Sequence, residues 1–525
     1  MRKWLMSRLS QHAPTASSAH RPTMNFSMLE LPPELRLCIF EQLDPHADKD
    51  TLRAAARACR LLQDLAEPFL YKHIFLRTGL EVATLLKSVA ARPARVKLIH
   101  TLDVRCQWGK SSGIERLEAL LRTAANIDTL TIESPYCNSG RWHSTGGAWE
   151  PLKRALLEPI AAASLPNAHP DGQPLQNLTT LTLHLNGERS EFWYMMDYQA
   201  DIFGHPTLRD LTMSCAAIPS LSKRHLSKYT KSPLKRLTLD QCQISLIGLA
   251  ALLAIPAALE YLYLGEYTLD NDEQQWPQGE EYDTLCHRSA NAFILALGQQ
   301  ANSLTTLTYY ERFSSSLYGG RQQLGSGLNV LHQLKELRLL GDTDAQLQTM
   351  LMSDLTSPPV LRALHLQEHS LLEWIALEVD DEGNFLQLAE SSSLPGPIAD
   401  LLSANSELKV LQFRVPQLYE TTRARWSGVS QAIASLGEML RERGIDFRVH
   451  LCPRQPRFVR PILYGEVEDV DELLYSNCGE AYIPLCGHSD GGQLIESDNS
   501  EYEDGAGFDG DWSETALEQS SDDEE

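Results

Sequence analysis

The feature that most constrains this chain is a three-position apolar pattern that returns along most of its length. A leading apolar residue is followed by two mostly polar ones, then by apolar, polar, apolar. It reads Ile99-Leu102-Val104, Ile127-Leu130-Ile132, Leu178-Leu181-Leu183, Leu208-Leu211-Met213, Leu234-Leu237-Leu239 and Leu259-Leu262-Leu264. It continues at Leu304-Leu307-Tyr309, Leu334-Leu337-Leu339, Leu361-Leu364-Leu366 and Leu408-Leu411-Phe413, with a weaker echo at Phe447-Val449. Three such positions arise by chance in a leucine-rich chain, so the spacing carries the inference. Successive leading residues stand 28, 51, 30, 26, 25, 45, 30, 27 and 47 residues apart. The last two apolar positions place both side chains on one face of a short strand. An amphipathic return after each strand then lets stacked units share one continuous core.

Six of those intervals fall within or next to the ~20–29 residues of leucine-rich repeats, and the pattern resembles that family. The resemblance implies parallel strands inside and helices outside. At the ninth place after the leading residue, where the family turns its chain with Asn or Cys, stand Asn186 and Cys242; most other units differ, so the repeats are irregular. Outer helices are predicted over Ile244 to Leu253, Leu285 to Leu297, Ala345 to Leu351 and Trp426 to Leu440, each with a helical stripe. The long intervals hold polar insertions at Pro135 to Gly147, Leu269 to Asp283 and Val379 to Pro397.

A different signal precedes the repeats. Leu31, Leu35, Ile39 and Leu43 recur every fourth residue and Phe40 flanks them, giving two adjoining apolar helical faces within three turns. Pro32 and Pro33 suit a helix start, Glu34 favours the first turn, and Pro45 ends the helix. Asp48 or Asp50 can cap a second helix with Leu52, Ala55, Ala56, Cys59 and Leu62 on one face, and Pro68 opens a third short turn. One apolar face can serve this chain and the other is left for a partner. The segment resembles an F-box, with Leu31, Pro32, Glu34, Leu35, Ile39, Phe40, Leu43, Cys59, Arg60, Leu62 and Leu65 in family-like positions; Tyr71 stands near the usual tryptophan. That resemblance implies docking of a Skp-family adaptor of a cullin-RING complex through Leu31, Pro32, Leu35, Ile39, Phe40 and Leu43.

Charge is unevenly placed. Of 69 acidic residues, 20 lie in Glu466 to Glu525, and no Lys or Arg follows Arg460; the other 49 nearly balance the 46 bases. A near-neutral body with an acidic end disfavours nucleic acid as a partner, since phosphate binding needs a concentrated basic surface. No apolar run approaches the ~18 residues of a membrane span, so a cytoplasmic or nuclear protein is expected. The ten cysteines include no C-x-x-C pair, and most lie inside apolar patterns where a thiol reads as a small buried hydrophobe. Cys478, Cys486, His488 and Asp490 match no zinc spacing, so neither metal nor cofactor is expected. No phosphate loop, H-E-x-x-H or G-x-S-x-G motif is present, and no catalytic residue is assigned.

The expected fold is α/β. It comprises a basic disordered leader over 1–25, a three-helix F-box-like module over 26–80 and a leucine-rich-repeat solenoid over 81–460. An acidic, largely disordered tail over 461–525 follows. Outward strand positions form the surface for an unknown target protein, and Tyr263, Tyr310, Arg338, His365, Arg414 and Arg448 are its large or basic groups. Together these parts point to a non-catalytic adaptor of a ubiquitin ligase. Two alternatives stand beside it: a repeat scaffold that does not direct degradation, and a hydrolase with active residues such as His143 and His287 in the insertions.

Overall fold

The computed structural model describes residues 28–44, 47–105, 110, 112–134, 146–164, 174–184, 193–194, 197–218, 231–266, 289–311, 327–341, 347, 350–367, 378–379, 385–386, 394–416, 421–452 and 472–478. All belong to the unit Met1–Ile483; the second unit, Pro484–Glu525, lies outside the described residues.

Every apolar triplet ends in a strand. In chain order the strands are β1 (His73–Leu76), β2 (Thr101–Arg105), β3 (Thr129–Glu133), β4 (Thr180–His184), β5 (Trp193–Tyr194), β6 (Asp210–Ser214), β7 (Ala216–Ile218), β8 (Arg236–Ile244) and β9 (Tyr261–Glu266). They continue with β10 (Thr306–Glu311), β11 (Glu336–Gly341), β12 (Ala363–Gln367), β13 (Glu378–Val379), β14 (Phe385–Leu386), β15 (Val410–Pro416), β16 (Asp446–Cys452) and β17 (Glu472–Ser476). One sheet runs β1-β2-β3-β4-β6-β8-β9-β10-β11-β12-β15-β16-β17, with β5 and β7 attached beside β8. Its pairs are parallel except β16 with β17.

Register is set by the triplets: Leu102 partners Leu130, Leu130 partners Leu181, and Leu337 partners Leu364. No triplet position is more than 3% exposed. At roughly 1.5–3 kcal/mol for each fully buried Leu or Ile, this stack dominates the stability of the body. Just ahead of the strands, backbone amides continue the stack: Arg209 donates to Thr179, Lys235 to Arg209, Arg362 to Lys335 and Lys409 to Arg362, each at 2.8 Å.

The helices are α1 (Pro33–Glu41), α2 (Lys49–Ala58), α3 (Arg60–Lys72), α4 (Gly79–Ala91), α5 (Leu117–Leu121), α6 (Gly146–Ala163), α7 (Leu246–Leu253), α8 (Ala290–Gly298), α9 (Gly396–Ala404) and α10 (Thr421–Glu442). Helix α7 lies within the predicted 244–253, α8 overlaps 285–297 and α10 contains 426–440. Ser245 and Ser289 cap α7 and α8 by accepting from Gly248 and Ala292 amides. Of the segment predicted over 345–351, only residues 347, 350 and 351 are described. Buried amide side chains tie neighbouring units: Gln300 donates to Leu253 and Pro256 carbonyls, and Asn405 to those of Leu351 and Leu401.

Three expectations are corrected. Pro68 opens no turn, since α3 runs through it from Arg60 to Lys72. The predicted second helix divides at Cys59, whose extended backbone (φ −162°, ψ 164°) separates α2 from α3. The body does not end at 460, because β17 closes the sheet. Its Leu474 is buried, and Asn477 accepts from the Phe447 amide while donating to Gly437 and Ile445 carbonyls. Gly437 makes that docking possible, as a Cβ there would stand 2.0 Å from the Tyr475 hydroxyl. The molecule is a mixed α/β protein with a large, mainly parallel sheet preceded by helices.

Candidate functional site

The N-terminal helices enclose a small core in which Phe40, Leu52 and Ala66 are buried and Leu43, Leu62, Leu65, Phe69 and Leu70 pack partly against it. Phe40 stacks on Phe69 with ring centroids 6.3 Å apart. Arg36, Phe40 and Leu43 stand at i, i+4 and i+7 and share the inner side. Leu35 and Ile39 stand at i and i+4 on the adjacent side. The outcome splits the expected docking set. Leu35 (51%), Leu37 (43%) and Ile39 (42%) are exposed, Pro32 is exposed at the N-cap, and Leu31 is half-buried. Phe40, only 1% exposed, is a core residue instead, and Leu43 joins it because α1 ends at Glu41 and the chain turns inward.

The same helices are fixed to the sheet. The Glu67 carboxylate, buried on α3, accepts from Arg92 Nη1 at 2.7 Å and from Arg95 Nη2 at 2.5 Å, and Arg92 Nη2 reaches Asp64 at 2.7 Å. Tyr71 hydrogen-bonds Ser88, and the Arg95 guanidinium lies 5.3 Å from the Tyr71 ring centroid. Helix α3 then passes directly into β1, which pairs His73 with Thr101 and Leu76 with Val104. Sequence reading left β1 inside the helical module; its alternation HIFL was the available signal.

Residues 28–77 match the F-box-like family. The chain carries an F-box-like domain. Such a domain implies a Skp-type partner in general terms, and the matched segment takes in β1, which pairs with β2 of the sheet. Comparison with curated proteins gives no match.

On the sheet face opposite the triplets, register aligns one long row: Phe75, Asp103, Thr131, Thr182, Thr212, Thr238, Tyr263, Thr308, Arg338, His365, Gln412 and Arg448. Tyr310 and Arg414 stand two residues further along their strands, in the neighbouring row beside Gly265 and Gln367. All six predicted target-facing residues therefore share a face. The row from Tyr263 to Arg448 covers five strand spacings, roughly 24 Å at ~4.8 Å each. From Thr131 to Thr238 the row is low-relief threonine; from Tyr263 to Arg448 it is bulkier, with Thr308 the exception.

The basic character expected there is offset. Arg338 Nη2 lies 2.6 Å from Glu336, and Arg448 Nη2 lies 2.7 Å from Asp446. Both are acid-x-Arg pairs, and alternation puts their side chains on the same face. Hydrogen bonding by His365 and then by Arg338 holds the Glu336 carboxyl down at about 2. Asp240 behaves oppositely: burial raises it to about 6 against the hydrogen bond it receives from Tyr263. Gly265 gives that carboxylate room, since a Cβ there would stand 2.9 Å from Asp240 Oδ1.

One histidine that strand alternation places outward is not at the surface. His184 is fully buried, its Nδ1 lies 2.6 Å from Ser214 Oγ, and burial lowers it to about 4. Its row neighbours Glu133 and Ser214 are buried too, so this part of the face is covered. Among the described residues no group of His, Cys, Asp and Glu could hold a metal, and no helix is long and apolar enough to cross a membrane. His143, His287, Asn186, Cys486, His488 and Asp490 lie outside the described residues, as do the leader and most of the tail.

Proposed function

We propose that this chain is the target-recognition adaptor of a cullin-RING, SCF-type ubiquitin ligase. The observation that carries the reading is an F-box-like domain whose helix α1 seals Phe40 inside and leaves Leu35 and Ile39 uncovered one turn apart on the same side, with Leu37 also exposed. Covering large apolar side chains is worth about 25 cal/mol per Å2, which favours a stable partner on that side. Leu31, Pro32, Leu35 and Ile39 dock a Skp-family adaptor, and the cullin complex follows from it. The sheet is read as an irregular leucine-rich-repeat solenoid. The face carrying Tyr263, Tyr310, Arg338, His365, Arg414 and Arg448 holds a target protein. Proteins with such a domain are typically non-catalytic, and here the chain's contribution is to raise the target's effective concentration near the ligase and to orient it. The Glu67 ion pairs and the β1–β2 pairing support this by joining the two surfaces without a loose linker. The ligase would act in the cytoplasm or nucleus.

The test is affinity purification of the intact chain beside a Leu35→Asp, Ile39→Asp variant. The reading expects adaptor and cullin to be lost from the variant while sheet-bound proteins stay. Recovery of adaptor without cullin would favour a non-degradative scaffold. Absence of adaptor from the wild-type chain would overturn the proposal.

A further inference from the structure

A guanidinium buried without acceptors is costly, and structures hold one only where something offsets it. Arg36 on α1 is such a group. It is 9% exposed, and its Nε and Nη1 are buried without a hydrogen-bond partner. It lines an open groove of about 490 Å3 together with Pro33, Arg60, Leu61, Asp64 and Leu65. The one carboxylate of that lining, Asp64, is already held by Arg92 at 2.7 Å. The groove therefore offers two guanidinium groups, no uncommitted acid and apolar walls from Pro33, Leu61 and Leu65.

We propose that this groove between α1 and α3 receives a carboxylate side chain of the Skp-type adaptor, with the Arg36 guanidinium as its donor. The inference rests on the adaptor reading above and adds to it a residue that sets partner specificity. Charge complementarity selects the occupant: Arg36 and Arg60 bring two positive groups to the groove, and a carboxylate makes charge-assisted hydrogen bonds to a guanidinium that are stronger than those of a neutral carbonyl. Apolar residues flanking that acid in the partner would cover Leu61 and Leu65. In the free chain Arg36 is a pre-placed but unsatisfied donor, so the contact strengthens binding more than folding.

The experiment titrates the full-length chain with recombinant Skp-type adaptor by calorimetry at low and high salt. It compares wild type, Arg36→Met, which keeps the stem, and Arg36→Lys, which keeps the charge without the fork. Removing one side of a buried charged pair is expected to weaken binding at least about thirty-fold, with a shallower salt dependence for Arg36→Met and no fall in its melting temperature. Carboxamide substitutions across the adaptor's acidic residues should reveal one that reproduces the loss in wild type and adds nothing to Arg36→Met. Equal affinity of wild type and both variants overturns the groove contact while leaving the adaptor reading intact. A melting temperature lowered in both variants, with affinity unchanged, assigns Arg36 to the fold and also overturns it. No binding by wild type removes the adaptor reading itself.

Discussion

The helical module and the sheet solve the same burial problem in opposite ways. In the sheet, every triplet side chain finds a neighbour in the next unit, so the apolar set is sealed and the open face is polar and internally paired. The module is too short for that. Three helices bury Phe40, Leu52 and Ala66 and leave Leu35, Leu37 and Ile39 outside. A surface of the first kind suits contacts that form and dissolve, because its Arg338 and Arg448 charges are already paired in the free state. A surface of the second kind suits a lasting partner, because covering it repays apolar area.

Several substitutions would break or sharpen that contrast. The largest effect is expected at the inner side of α1: Phe40→Ala should cost about 3–5 kcal/mol in urea unfolding, whereas Leu35→Ala, one turn away on the outer side, should stay within about 1 kcal/mol. Equal losses would mean that Leu35 is part of the core. Next comes the joint. Glu67→Ala leaves Arg95 facing an empty partner site and should cost roughly 2 kcal/mol, discounted because Arg92 is partly exposed. Hydrogen exchange should quicken in α3 and β1 while β10 to β12 stay protected.

Acid should then act on the sheet. Burial lowers His184 and His205 to about 4. A base depressed in the folded state contributes stability above its unfolded value near 6.5 and loses it as pH falls towards 4. Asp240, raised to about 6, opposes this by returning stability as pH falls through that value. Two histidines outweigh one carboxyl, so a net loss on the order of 2 kcal/mol is expected between pH 6.5 and 4.5. A His184→Asn variant should show a shallower decline in melting temperature; an unchanged slope would contradict the assignment. The smallest effect is at Arg338, an exposed ion pair. Arg338→Ala should alter stability by under about 0.5 kcal/mol yet weaken target capture in a pull-down.

Much of the sheet was legible because its signal is local. A triplet fixes which side chains point inward, and spacing fixes the register between units, so Leu102 through Phe447 and all six outward residues fall where expected. Features that depend on packing were not legible. Alternation places His184 outward, but nothing in the chain's pattern reveals that this stretch of the face is covered. The split of α1 into inner Phe40 and outer Leu35 follows from a 100° step per residue, yet which side faces inward depends on α2 and α3. Helix α6 follows a Ser- and Gly-rich insertion and was missed, although its Leu156, Leu157 and Ile160 stripe could have shown it. Proline at 68 suggested a break that the Phe69 and Leu70 contacts override. Glu336 and Asp446 were readable as partners of Arg338 and Arg448, since residues two apart on a strand share a face.

The most direct measurement is hydrogen exchange of the full-length chain with and without a recombinant Skp-type adaptor, followed over peptides covering Leu31 to Gln42. Slower exchange there, with β10 to β12 unchanged, is the predicted result. Unaltered exchange across α1 at saturating adaptor would contradict the claim that its outer side is a docking surface.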